Sequence, residues 1–295
     1  MRTAIKLSKE DLHQYYQYGW ETYWLDKVDA ALKPSDRGYL RILQNIVALI
    51  PFDKDAEFRA LDLGCGIGIY SINLLKRYPK MILTGVDLSQ KQITIAKDLA
   101  ARHSVNDRVE FISGDAEEWV SNTKYDLIVC TEMLEHLLEP QKTLKNIVGM
   151  SHKDTVVIFS VPQIYGETGS EGVFCKQILD DGSVTETQTN VDEAKPIFRY
   201  WHKAYKPGEI ADLMTREGFC SEVILGSTFK LPLMESSNFP FPYKIFSKAH
   251  NVAKKVINYT ALNYLSNQLD VKINRMTGYK YAETLMLRCK IERPL

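Results

Sequence analysis

The stretch Leu61-Asp62-Leu63-Gly64-Cys65-Gly66-Ile67-Gly68 decides how the chain reads. A short apolar run, Phe58 to Leu63, meets glycine at every second position. Glycine lets a backbone turn tightly and lets a ligand come close to the main chain. An apolar strand that breaks on such a turn and continues as a helix belongs to an α/β sheet with a ligand site at its strand ends. Spacing then narrows the ligand. The dinucleotide fingerprint G-x-G-x-x-G, counted from Gly64, needs glycine at position 69, which is Ile69. What stands there is Asp-x-Gly-x-Gly-x-Gly, with an acid, Asp62, ahead of the glycines.

Outward from this turn, strands and helices alternate. Residues 70–78 carry apolar positions at helical spacing, 81–89 read as a second strand, and 90–104 as a second helix. Residues 108–116, 125–134 and 155–162 read as three more strands, with a helix over 139–150 opened by Pro140. A further helix spans 207–218, with Pro207 near its start and Gly218 at its C-cap. Residues 219–226 and 282–291 then read as two closing strands. The expected fold is α/β: a Rossmann-like, seven-stranded, mostly parallel sheet with helices on both faces, plus lid insertions. The expected division is a helical N-terminal lid at 1–50 and a core at 51–226 carrying an insertion at 163–201. A cap subdomain at 227–282 and a closing strand at 283–295 complete it.

Composition bounds the function. The chain has 295 residues, 45% apolar and 25% charged, with 37 basic and 37 acidic side chains. Zero net charge argues against a nucleic-acid partner, since domains that grip a phosphate backbone usually carry a basic excess. Neutrality conceals an asymmetry, however. Residues 163–194 hold seven acids against Lys176, while 236–282 hold seven bases against Asp270. Five scattered cysteines form no C-x-x-C pair, so a zinc ribbon is not expected, and reduced thiols are. No apolar h-region opens the sequence and no run approaches the ~20 residues of a bilayer span, so the expected location is cytoplasmic.

Acids recur where the other strands end. Asp87, followed by Leu88, lies nineteen residues beyond Gly68, where a carboxylate accepts both hydroxyl hydrogens of a ribose. Gly114-Asp115-Ala116 follows the third strand, placed for an adenine edge, and Cys130-Thr131-Glu132 ends the fourth. An acid beside the first glycines suits the amino-acid end of S-adenosylmethionine (SAM) better than a pyrophosphate. The segments LDLGCGIG, VDLS, GDAEEW and YDLIVCTEMLEHL together resemble the class I SAM-dependent methyltransferases over about residues 58–226. The resemblance implies that Asp62, Gly64, Cys65, Gly66 and Gly68 hold the methionine moiety and Asp87 with Leu88 the ribose. It gives the adenine to Asp115 and Ala116, and sets Thr131 and Glu132 beside the reacting centre.

Three features bear on the acceptor side. Glu132, Glu135 and His136 stand at i, i+3 and i+4, so a helical turn would show them on one face. This E-x-x-E-H is similar to that of ubiquinone-biosynthesis O-methyltransferases and of small-RNA 2′-O-methyltransferases. There the resemblance makes the three residues ligands of a divalent cation such as Mg²⁺, with His202 as a further ligand or base. In metal-free relatives the same L-E-H shapes the active-site floor. Tyr15, Tyr16, Tyr18, Trp20, Tyr23 and Trp24 form an aromatic cluster, read either as a cover over a sulfonium cation or as packing against the sheet. Residues 244–265 alternate apolar and basic positions at helical spacing. They read as a peripheral membrane contact, a cap on an anionic substrate, a lid helix or a dimer contact. The expected function is methyl transfer from SAM to a small-molecule hydroxyl. RNA 2′-O-methylation, N- or C-methylation and a non-catalytic SAM-binding subunit stand as alternatives.

Overall fold

The computed structural model describes residues 7–16, 37–163, 171–178, 184–187, 197–229 and 282–292. Glycines Gly64, Gly66 and Gly68, at φ of +80°, +54° and +77°, turn β1 (Arg59–Leu63) into α3 (Ile69–Arg77). Among the described residues two helices precede them, α1 (Lys9–Gln14) and α2 (Arg37–Leu49). Alternation continues with β2 (Ile82–Asp87), α4 (Gln90–Arg102), β3 (Val109–Ser113) and β4 (Tyr125–Thr131). A single 3-10 turn at Leu134–His136 leads to α5 (Pro140–Gly149) and β5 (Ser151–Pro162). Then come β6 (Glu171–Ile178), β7 (Val184–Thr187), β8 (Ile197–Lys203), α6 (Pro207–Arg216), β9 (Phe219–Phe229) and β10 (Ala282–Ile291).

Seven strands form one sheet in the order β3-β2-β1-β4-β5-β10-β9. The five on the β3-to-β5 side are parallel, and β10 runs antiparallel between β5 and β9. Side-chain alternation sorts the core into two layers. Ala60, Leu127, Val129, Val156 and Ile158 face α2, α3 and α4. Leu61, Leu63, Ile128, Cys130, Val157 and Phe159 face α5 and α6. Burial on both faces explains why these strands read as mostly apolar runs without a polar residue at every second position.

The insertion after β5 is a separate three-stranded antiparallel sheet, β7-β6-β8. Its last strand returns to the core where the Tyr205 N–H donates to the Pro162 carbonyl at 2.9 Å. No strand was expected between 163 and 201, so this sheet is an addition to the sequence reading. β9 also runs to Phe229, three residues past the expected edge of the core. Most of the 227–282 cap, including 244–265, lies outside the described residues, as do Tyr18 to Trp24 of the aromatic cluster. Among the described residues no helix is long and apolar enough to cross a membrane.

Candidate active site

Parallel pairing brings the strand ends to one edge: Leu63 lies opposite Val86, and Asp87 opposite Ser113. Asp62 is 1% exposed; one carboxylate oxygen accepts from the Ser71 hydroxyl and the other, Oδ1, has no partner. Burial raises its pKa to about 6, the Ser71 bond pulls it back in part, and Asp87 adds a further push. Asp87 accepts from the Gly66 N–H at 2.8 Å through Oδ2 and from the Ser89 N–H at 2.9 Å through Oδ1. The loop therefore closes on the acid expected to hold a ribose. Leu88 follows it, half-buried, and Cys65 is buried inside the turn.

The cradle admits no side chain. A Cβ on Gly64 would stand 2.8 Å from the Met133 side chain, and one on Gly68 would stand 2.8 Å from Phe111. Beyond β3, Asp115 bonds through Oδ1 to the Glu117 N–H, and Ala116 is buried beside it. Thr131 is buried at the end of β4, where its backbone pairs with Ser160. A glycine turn flanked by the buried Asp62, with one oxygen unpartnered among the described residues, and by Asp87 has the chemistry an amino-acid-bearing nucleoside such as SAM would need.

On the acceptor side the structure departs from the sequence reading. Glu132, Glu135 and His136 do not share a helical face. Glu132 takes φ +51°, which ends the strand, and only Leu134–His136 form a turn, of the 3-10 kind. Ser160 braces the strained Glu132: its hydroxyl donates to the carboxylate at 2.7 Å and accepts the Glu132 N–H at 3.0 Å. Glu135 is 2% exposed, its Oε2 has no partner, and burial followed by the nearby Glu132 charge holds its pKa well above the usual value. His136 Nδ1 lies 3.1 Å from the Trp201 carbonyl and Nε2 lies 3.8 Å from Glu135 Oε1. Burial, opposed by the Trp201 bond and reinforced by His202, lowers its pKa to about 4.

β8 brings His202 next to His136, ring centres 5.6 Å apart. The four expected metal ligands thus gather in one neighbourhood. Among the described residues, however, no three His, Cys, Asp or Glu side chains converge in a way that would hold a metal ion. His136 Nδ1 faces a carbonyl and Glu132 Oε1 accepts from a hydroxyl, which leaves His136 Nε2 and Glu132 Oε2 as the atoms a cation would have to use.

A family profile described as "Methyltransferase domain" matches residues 17–221. The chain belongs to the class I SAM-dependent methyltransferases. A ubiquinone biosynthesis O-methyltransferase of Pseudoalteromonas translucida is 34% identical over 111 residues, 37% of this chain and 44% of its own length. Ajmaline N-methyltransferase of Rauvolfia serpentina is 26% identical over 156 residues, 52% of this chain and 51% of its own. The methyltransferase thus spans about half the length of the curated relatives it matches. Among solved structures, a SAM-dependent methyltransferase from Clostridium acetobutylicum superposes with a TM-score of 0.52 at 17% identity. That match covers 97% of this chain and 99% of the other, and it is a likeness of fold.

Three participants escaped the sequence reading of this methyltransferase: Ser160, Tyr200 and Lys9. Tyr200, on β8, stacks on Tyr15 at 4.3 Å and meets the His136 ring edge-on at 5.9 Å. Aromatics at 198–201 were the available signal, in a segment that had been taken only as an insertion.

Proposed function

We propose that this methyltransferase transfers a methyl group to a hydroxyl oxygen of a small-molecule acceptor, with His136 as the base. Bound SAM supplies an electrophilic methyl on a sulfonium; the chain has to aim the acceptor and take its proton. The observation that carries the reading is the contact of His136 with Trp201. A carbonyl oxygen only accepts, so Nδ1 holds the hydrogen and Nε2 keeps its lone pair. The imidazole is neutral near pH 7, because burial has lowered its pKa. After taking a proton at Nε2 it lies 3.8 Å from Glu135 Oε1, and the new cation draws the raised Glu135 pKa back down and favours its carboxylate. Relatives named as O-methyltransferases favour oxygen as the acceptor atom. The proton transfer is assigned to His136 itself.

The test is transfer of isotope-labelled methyl from SAM to a panel of small phenols and alcohols, wild type against His136→Ala. Turnover should fall by roughly 10²- to 10⁴-fold, the scale of one acid–base group, with SAM affinity within about twofold. Normal turnover in His136→Ala would remove the base. Label appearing only in added RNA, or only on amines, would replace the acceptor class.

A further inference from the structure

We propose that Lys9 is a positioning residue that latches α1 onto the adenine loop, so that holding the cofactor and completing the acceptor wall become one event. This rests on the assignment of Asp115 and Ala116 to the adenine of SAM. The Lys9 ammonium lies 3.1 Å from Asp115 Oδ2, 3.3 Å from Glu117 Oε2 and 2.6 Å from Glu118 Oε1. Partial burial alone would lower its pKa, but the bonds to Glu118, Asp115 and Glu117 outweigh that and hold it above the usual lysine value.

One of these acids is not a surface group. Glu117 is 6% exposed, and its other oxygen accepts the Glu139 N–H at 2.7 Å, next to the start of α5. Three carboxylates close together on one loop repel each other, and the cation of α1 is what lets them share it. Removing Lys9 leaves the buried Glu117 charge without this partner, which costs more than losing a solvated ion pair.

The other end of the same segment reaches the acceptor side. Tyr15 is 1% exposed and stacks on Tyr200, and Tyr16 meets the His136 ring at 5.9 Å. Burial, and then the fields of Tyr15, Glu135 and Asp87, hold the Tyr16 phenol well above its usual pKa. Lys9 and Tyr16 are seven residues apart, roughly 10 Å of helix. The segment spans the cleft, tied at the adenine loop by charge and at β8 by stacking. Cofactor leaves only after the charged end lets go.

The experiment uses the full chain and SAM itself. Release of labelled SAM is timed by rapid dilution, and hydrogen exchange is followed over residues 8–16. Lys9→Ala should release SAM roughly three- to tenfold faster, the scale of a partly buried ion-pair network. Lys9→Arg should stay within about twofold of wild type, because the charge is kept. Added salt should speed release in wild type and leave Lys9→Ala almost unchanged. Exchange over 8–16 should quicken in Lys9→Ala even without cofactor. Unchanged exchange and release would overturn the latch, and faster exchange with unchanged release would overturn its coupling to the cofactor. A wild type that binds no SAM would instead overturn the cofactor reading, with exchange in the apo protein still judging the latch.

Discussion

At the scale of single residues, the cleft is acidic and incompletely satisfied. Asp62 shows this most clearly, because one oxygen is bonded to Ser71 and the other is buried with no partner among the described residues. Burial disfavours its charged form, so its pKa rises from 3.8 to about 6 on folding. The folded state then binds the proton more tightly than the unfolded chain, and this group's contribution to stability falls as pH rises from about 4 to about 6. A ligand carrying an ammonium reverses the preference, since it favours the carboxylate. SAM should therefore bind more tightly at pH 7.5 than at pH 5, with the change centred near 6. Asp62→Asn should flatten that profile and cost about 1.5–3 kcal/mol of affinity at pH 7.5, the range for a hydrogen bond to a charged group. Calorimetric titration from pH 5 to 8 reads both effects, and a flat wild-type profile would break the link between Asp62 and the methionine end. The acids at strand ends were legible in sequence, because a strand end is marked by where an apolar run stops. The grouping of Glu132, Glu135 and His136 on one helical face was not. It assumed a period of 3.6 across a backbone that turns at φ +51° and then makes one 3-10 turn.

At the scale of elements, the shape of the cofactor loop is set by a side chain outside it. Phe111 on β3 fills the space beneath both β2 and the glycine turn. A Cβ on Gly85 would stand 2.5 Å from its ring, and one on Gly68 2.8 Å. Gly85 has no positive φ, so its glycine is a demand of packing, unlike that of Gly68, where conformation also requires it. Gly85→Ala should destabilise the protein by about 1–3 kcal/mol, the usual cost of overfilling a packed core. It should also weaken SAM binding, because the displaced ring presses on the turn. Adding Phe111→Leu should return part of that stability, so the double variant should be less destabilised than the sum of the singles. Strictly additive denaturation midpoints would show that the clash is relieved elsewhere. Strands buried on both faces, such as β1 and β4, were legible because most of their positions are apolar, with Asp62 the one acid inside β1 and Asp126 the one acid inside β4. β8 was not, since Tyr200, Trp201 and His202 place aromatic or polar-aromatic groups on both faces and erase the period of two. β5 begins at Ser151, earlier than its apolar run, because His152-Lys153-Asp154 precede the buried stretch and the pairing shifts between Tyr125 and Leu127.

At the scale of the whole molecule, the two layers on the seven-stranded sheet and the small cluster over the site differ in how firmly they are held. The sheet is sealed between α2, α3 and α4 on one face and α5 and α6 on the other. Among the described residues, the cluster that docks α1 contains Leu12, Tyr15 and Tyr200 as buried members, with Leu7, Tyr16 and Leu138 partly buried around them. A segment docked through so small a cluster is expected to open on its own, without unfolding the rest. This suits a cover that must admit a cofactor, and it follows from the division of labour in the chain. On the proposed reading the glycine turn and strand ends bind, while α1 and β8, from opposite sides of the sequence, enclose. Tyr200→Ala removes the stacking partner of Tyr15 while leaving both layers of the sheet intact. Amide exchange over residues 8–16 should quicken by about tenfold or more, as for a locally opening unit. Exchange in β1, β4 and β5 should stay at the wild-type rate. The melting temperature should move by only a few degrees, since about 1 kcal/mol corresponds to roughly 2–4 °C in a domain of this size. If the central strands instead lost protection together with α1, the cover would be part of the cooperative core, and opening it would require unfolding the sheet.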